Sequence, residues 1–232
     1  MLPPKIPEEA FAQILEELER RPLQMNKYRN LAGAGQTQAF GVVGRRCLPP
    51  DYSRQCWARP RLYQLLLEFG DRWVRPAGVD FTSVTVNCNY AAAPHRDKNN
   101  DGHSFLVGFG NYQGGDLTIE EGSLKGNWSI RFNPIITDFS KVLHCVKEGW
   151  TGDRYSLVFY RYSNPKWPTP TPLPPPSVKE IETGKLCFFR GEEICYGLPH
   201  PLKGRKKVKA PPPPAAVLKE DGDCGGFVVV FD

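Results

Sequence analysis

No stretch of this chain approaches the roughly 18 consecutive apolar residues that cross a bilayer, so no membrane-spanning helix is expected. The opening MLPPKIPEEAF lacks the basic stretch and apolar run of a secretory leader. Its seven cysteines are odd in number and include no Cys-x-x-Cys pair, which indicates neither a disulfide framework nor a zinc cluster. These absences together lead us to expect a soluble, intracellular protein of a reducing compartment. Charge adds little. A formal net charge of +5 is compatible with an anionic partner, but scattered surface lysines give the same total.

Turn-forming residues are abundant, with 23 prolines and 22 glycines in 232 residues. Both interrupt helices, so the composition favours a strand-dominated architecture. With 40% hydrophobic residues, the chain is long enough for one well-buried domain plus something looser. Residues 7–21 (PEEAFAQILEELERR) predict an amphipathic helix: Pro7 opens it, Glu8 and Glu9 sit in its first turn, and Arg20 and Arg21 close it before Pro22. Phe11, Ile14, Leu15 and Leu18 fall at helical spacing and should pack on a sheet. A second helix is expected from Pro60 to about Val74, with Leu62, Leu65, Leu66, Phe69 and Trp73 on one side.

Between them, LAGAGQTQAFGVVGRR places Gly33 and Gly35 in a pattern that suggests a phosphate loop, but no G-K-[ST] follows. A loop leading into a short strand is expected instead. Over residues 81–163 the texture becomes short apolar strands separated by turn residues: TSVTVNCNY, SFLVGFG, DLTIEE, WSIRF, KVLHCVKEG and RYSLVFYRY. That density, with hairpin-type connections such as NYQGG, predicts a double-sheet jelly roll or barrel. The expected organisation is mainly β with flanking helices (α+β). Residues 1–80 would supply helices and a loop packed on the core, 81–163 the core, and 164–232 an extension that begins with the proline-rich NPKWPTPTPLPPPS. Within the extension KLCFFRGEEICYG suggests a hairpin.

His95-Arg96-Asp97 follows the strand TVNCNY and the small-residue turn AAAP. In extended chain, positions i and i+2 share a face, so His95 and Asp97 can offer an imidazole nitrogen and a carboxylate oxygen to one ion. His144 lies within the apolar strand KVLHCV, a poor place for imidazole unless something occupies it. Two histidines and one carboxylate leave three positions open on an octahedral metal, the arrangement used by non-haem Fe(II) oxygenases. Ten residues after His144, Arg154 and Ser156 share a strand face. A guanidinium fork there fits a carboxylate, and the neighbouring hydroxyl can add a further hydrogen bond.

The order H-x-D, distal His, then R-x-S resembles the 2-oxoglutarate oxygenases, over roughly residues 81–163. The resemblance implies a double-stranded β-helix (jelly-roll, cupin-like) core and an Fe(II)- and 2-oxoglutarate-dependent dioxygenase. Such an enzyme would consume O2, hydroxylate or oxidatively demethylate its substrate, and release succinate and CO2. It implies iron on His95, Asp97 and His144, with the far carboxylate of 2-oxoglutarate on Arg154 and Ser156. Family members often draw extra co-substrate contacts from the strand before the metal motif, which brings forward Asn89 and Tyr90; ordinary strand pairing is the other reading of those two. Gly114 and Gly115 are expected to shape a hairpin; the other reading is a glycine pair that admits substrate beside a pocket.

Other motifs in these residues fail. HRD also begins the protein-kinase catalytic loop, but Gly102 stands where that loop needs asparagine. D-x-N-x-D-G from Asp97 begins a calcium-binding loop, but its twelfth position is Gly108 rather than glutamate. For substrate, PHRDKNNDGHSFLVGFGNYQGGDL resembles the ten-eleven translocation and J-binding protein branch, which oxidises methyl groups of pyrimidine bases in nucleic acid. That likeness implies a flipped base, with Arg45, Arg46 and the run Lys203 to Lys209 on phosphates. The same basic run also reads as a solvated linker or a nuclear-localisation-like patch. Oxidation of a protein side chain or a small metabolite, and a non-catalytic cupin-like binding module, are the alternatives.

Overall fold

A computed structural model describes residues 2–23, 35–45 and 48–164, and the strand segments 177–180, 186–190, 193–195, 218–220 and 227–229. The first helical segment starts as a 3-10 turn, Glu8–Phe11, after an extended Pro7, and continues as α1, Ala12–Arg20. Phe11, Ile14 and Leu18 are buried, as their spacing predicts. A short helix α2, Arg54–Ala58, is capped by Ser53, whose side chain accepts from the Gln55 backbone N–H. It is too brief to show periodicity in sequence. Helix α3, Pro60–Phe69, carries proline at its first turn and buries Leu62, Leu65, Leu66 and Phe69. It runs on as a π-turn, Gly70–Val74, where a Cβ on Gly70 would lie 2.2 Å from the Phe81 ring.

The strands are β1 Gln36–Arg45, β2 Leu48–Tyr52, β3 Ser83–Cys88, β4 Ala92–His95, β5 Asn100–Phe109 and β6 Tyr112–Gln113. They continue with β7 Leu117–Ile119, β8 Gly126–Trp128, β9 Ile135–Thr137, β10 His144–Val146, β11 Thr151–Gly152 and β12 Tyr155–Tyr162. A major six-stranded sheet has the order β2-β1-β3-β12-β5-β9, and a minor four-stranded sheet the order β4-β10-β7-β8. Every pairing between these strands is antiparallel.

Alternation along the major sheet separates two environments. Phe40, Val84, Val86, Phe105, Val107, Phe109, Leu157 and Phe159 pack against the helices, with Phe11 stacked on Phe109 at 4.9 Å and Phe69 on Phe159 at 5.8 Å. A smaller cluster, Leu106, Leu117, Ile119, Ile130, Ile135 and Phe139, fills the space between the two sheets. The architecture is therefore mainly β with flanking helices, a double-stranded β-helix closed on one side by α1 and α3. The cleft lies between the sheets.

Three local expectations change. The short strand expected after the glycine-rich loop is the ten-residue β1, and with β2 it belongs to the major sheet, within the region read from sequence as helices and loop. Pro49 and Pro50 disguise β2 in the sequence; they are tolerated because β2 is an edge strand, where a missing N–H faces no partner. In WSIRF the ladder stops at Trp128, and Phe132 sits at φ 61, which an extended strand does not permit.

Beyond the core, segments 186–190 and 193–195 pair antiparallel, as KLCFFRGEEICYG suggests. Residues 31–34, Arg46, the proline-rich run from Pro165 to Pro176, and Lys203 to Lys209 lie outside the described residues. Among the described residues, no helix is long and apolar enough to cross a membrane.

Candidate metal centre

Antiparallel pairing of β4 with β10 makes His95 and His144 direct register partners. Partners across a ladder project on the same face, and these rings meet with centroids 4.3 Å apart. Asp97, two residues beyond His95, brings Oδ1 to 3.4 Å from His95 Nε2. One ligand atom from each of His95, Asp97 and His144 lies within 4.8 Å of the others.

The surroundings orient each donor. His95 Nδ1 is 2.8 Å from the Ala93 carbonyl, and His144 Nδ1 is 3.0 Å from the Val142 carbonyl. A carbonyl only accepts, so Nδ1 carries the hydrogen on both rings, and in the neutral form of each ring Nε2 has the lone pair that a cation needs. Asp97 Oδ2 accepts from Asn100 Nδ2 at 3.1 Å, and the Asp97 N–H donates to the Phe139 carbonyl at 3.0 Å. Oδ1 is thereby turned toward the histidines. A hydrogen bond with Asp97 holds the His95 imidazole above its usual pKa, whereas burial pushes His144 below it. His144 is 7% exposed and packs on the Phe139 ring at 4.6 Å.

On the outer side, Arg96 is turned away from its two neighbours. Its Nε donates to the Lys141 carbonyl at 3.1 Å, and its Nη2 pairs with the Glu121 carboxylate. Glu121 also accepts the backbone N–H of Leu143, the residue before His144. This link ties the H-x-D segment to the strand bearing the distal histidine.

Deeper in the same cleft, Arg154 is 1% exposed, one of the largest fully buried side chains in the described residues. Its Nε donates to the Gly115 carbonyl at 3.0 Å, and its guanidinium carbon lies 5.5 Å from the Tyr112 ring and 5.7 Å from the Trp150 ring. Its Nη2 is buried without a hydrogen-bond partner. Burial lowers the Arg154 pKa, yet arginine starts so high that it stays charged. A buried cation with an unpaired donor is strongly unfavourable unless an anion meets it. Ser156, 3% exposed, shares the cleft face, and its Oγ accepts from Asn87 Nδ2 at 3.1 Å.

Of the residues selected by sequence, the structure brings His95, Asp97 and His144 together, and sets Arg154, Ser156 and Tyr90 on the same cleft. Asn89 is placed differently. At φ 48 it leaves the strand alternation, and its Oδ1 accepts the Arg154 N–H at 2.8 Å while its Nδ2 donates to Asp153 at 3.1 Å. It supports Arg154 from behind, and Asn87 takes the cleft position. Asn87 was signalled by alternation with Thr85 along β3 and went unselected. Gly115, expected to shape a hairpin or to admit substrate beside a pocket, makes room for Arg154 instead: its φ is 65, and a Cβ there would lie 2.9 Å from Arg154 Cδ. Cys145 is buried and His103 is exposed.

With this geometry in hand, the chain can be set beside known proteins. It is similar to NgTET1 in complex with 5mC DNA at 14% identity and a TM-score of 0.49, over 68% of this chain and 69% of that one. It is similar to a 2OG-Fe(II) oxygenase family oxidoreductase from Burkholderia pseudomallei at 17% identity and a TM-score of 0.44, over 69% and 82% of the two chains. It is also similar to a Pseudomonas putida prolyl-4-hydroxylase at 17% identity and a TM-score of 0.40, over 67% and 88%. No protein-family model and no curated protein matches the sequence. At such identities, the chemistry has to be argued from the side chains of this chain.

Proposed function

We propose that this protein is an Fe(II)- and 2-oxoglutarate-dependent oxygenase. The observation that carries the reading is the buried Arg154, whose unpartnered Nη2 shares one cleft with a two-histidine, one-carboxylate cluster. Two imidazoles and a carboxylate suit Fe(II) and leave positions for a chelating keto acid. A fixed guanidinium at the closed end suits the far carboxylate of that acid. The site's residues thus fit both groups.

His95, Asp97 and His144 would hold the metal, each pre-oriented by the hydrogen bonds described above. Arg154 and Ser156 would bind the distal carboxylate, and Tyr90, on the cleft wall, is a further co-substrate contact under the same proposal. Asn89 contributes by holding the Arg154 backbone. Leu106, Leu117, Phe139 and Val146 line the same cleft and exclude water from its depth. When bound, the iron supplies oxygen activation coupled to decarboxylation of 2-oxoglutarate to succinate and CO2, with oxidation of a substrate C–H bond.

For substrate, the cleft itself favours a methylated base in nucleic acid. It has a volume of about 1340 Å³ and is open to solvent, with exposed Arg54 and Lys98 on its walls. An open cleft with cationic walls accepts a base displaced from its stack while the rim meets phosphates. A small metabolite would be better served by an enclosed pocket.

The test is turnover. Incubation with Fe(II), 2-oxoglutarate and O2 should yield succinate, and His95→Ala or Arg154→Ala should abolish it. Wild-type turnover in either variant removes that residue from the site. Mass spectrometry of methylated DNA, RNA and peptide pools after incubation should show oxidised base; oxidation confined to peptides would replace the substrate reading.

A further inference from the structure

The helical layer, on the side of the major sheet away from the cleft, carries a groove of its own. It runs between the first helical segment and α3 with a volume of about 260 Å³, over a floor of Ile14, Leu65, Phe69 and partly exposed Trp73. Glu9 and Gln13 form one bank and Glu68 and Arg72 the other. Arg72 is turned onto the Trp73 ring, its guanidinium carbon 5.4 Å from the centroid. Glu16 follows Glu9 and Gln13 at helical spacing and extends the first bank, and Glu8 stands at its start. Glu8, Glu9, Glu16 and Glu68 are all exposed, and none of them forms an ion pair among the described residues.

A groove with acidic banks and an indole on its floor suits a segment that is cationic and rich in proline. Ammonium and guanidinium groups pair with the carboxylates, and extended proline packs on an aromatic ring. The chain itself contains such a segment: KGRKKVKAPPPP, residues 203–214, holds five cations and no carboxylate, and ends in four prolines. The extension that carries it already meets the same helix, because segments 177–180 and 186–190 lie against α3. The second of these pairs with 193–195. From there residues 196–202 span up to roughly 25 Å when extended, whereas the ten-residue α3 is about 15 Å long. The groove is within reach of the basic run.

We propose that the groove between α1 and α3 is the docking site of this chain's own segment 203–214, with its cations on Glu8, Glu9, Glu16 and Glu68 and its prolines against Trp73. Exposed ion pairs contribute little one by one, so the docking depends on several acting together and weakens with salt. Its consequence is one of position. The basic run is held on the helical side of the sheet, away from His95, Asp97 and His144, and its cations are not phosphate contacts for a substrate in the cleft. The proposal is independent of the oxygenase reading.

The test is zero-length cross-linking of the full chain with a carbodiimide, which joins a carboxylate to an amine in direct contact, read by peptide mass spectrometry. Lys203, Lys206, Lys207 or Lys209 should be joined to Glu8, Glu9, Glu16 or Glu68. A mixture of unlabelled and isotope-labelled protein should give these links within one chain only. They should fade at about 1 M salt, where screening shortens to roughly 3 Å. Glu9→Lys combined with Glu68→Lys, two exposed positions, should remove the links and speed tryptic cleavage within 203–209 several-fold. Links from the run to carboxylates elsewhere, such as Asp101 or Glu120, no links at all, or equal cleavage rates in wild type and the double variant overturn the proposal. Mixed-isotope links give the groove to the segment of a second copy and overturn it equally.

Discussion

Asn89 and Arg154 clasp each other through backbone and side chain: the Asn89 N–H donates to the Arg154 carbonyl at 2.7 Å, and Asn89 Oδ1 accepts the Arg154 N–H at 2.8 Å. The Trp150 indole adds a third bond to the same oxygen at 3.3 Å. The left-handed backbone at Asn89 is thus a device for fixing where Arg154 begins its strand. Asn89→Ala should lower stability by roughly 2 kcal/mol, because it strands a buried N–H and places alanine at positive φ. Asn89→Gly relieves the backbone part and should fall between alanine and wild type in urea denaturation. Equal loss in both variants would show that the backbone conformation contributes nothing.

Arg154 itself should trade stability for binding. Arg154→Met removes a buried cation that lacks its anion, so the ligand-free protein should keep or raise its Tm while losing 2-oxoglutarate affinity. Arg154→Lys keeps charge but not the two-point fork, and should weaken binding by about tenfold or more. A large drop in the Tm of Arg154→Met would assign the arginine to the core instead.

Gly115→Ala places a methyl group 2.9 Å from Arg154 Cδ and 3.0 Å from its Nε, at a residue with φ of 65. The guanidinium must shift. We expect a destabilisation of about 1–2 kcal/mol and weaker 2-oxoglutarate binding, with Fe(II) affinity retained. Loss of metal affinity in parallel would mean that the two halves of the cleft are not independent.

The Arg96–Glu121 pair is half exposed, so its contribution to stability should be small, within about 1 kcal/mol. Its importance is to join the H-x-D segment to Leu143 and hence to His144. Glu121→Ala should therefore reduce metal affinity several-fold, read by calorimetry with Mn(II), while its melting curve barely moves. Unchanged affinity would leave the pair as surface decoration.

Much of the architecture was legible because it depends on local pattern. Helix α1 follows from its apolar spacing and terminal charges, and β3 and β12 from alternation; the i, i+2 rule is enough to pair His95 with Asp97. What was not legible depends on exceptions to pattern or on distant chain. The edge position of β2 makes its prolines harmless, and nothing local announces an edge. Asn89, brought forward by the family resemblance, has left-handed backbone and leaves the strand alternation, so the cleft position falls to Asn87. His144 meets His95 through a ladder register that a separation of 49 residues does not encode.

The central claim joins two halves of one cleft, a metal held by His95, Asp97 and His144 and a keto acid held at its far end by Arg154. One measurement addresses both: anaerobic addition of Fe(II) and then 2-oxoglutarate to the folded protein, followed by visible absorbance. The account expects a weak charge-transfer band from the chelate, which appears only when both are present and is lost in His144→Ala and Arg154→Ala. Folded wild-type protein that shows no such band at saturating concentrations of both would contradict it.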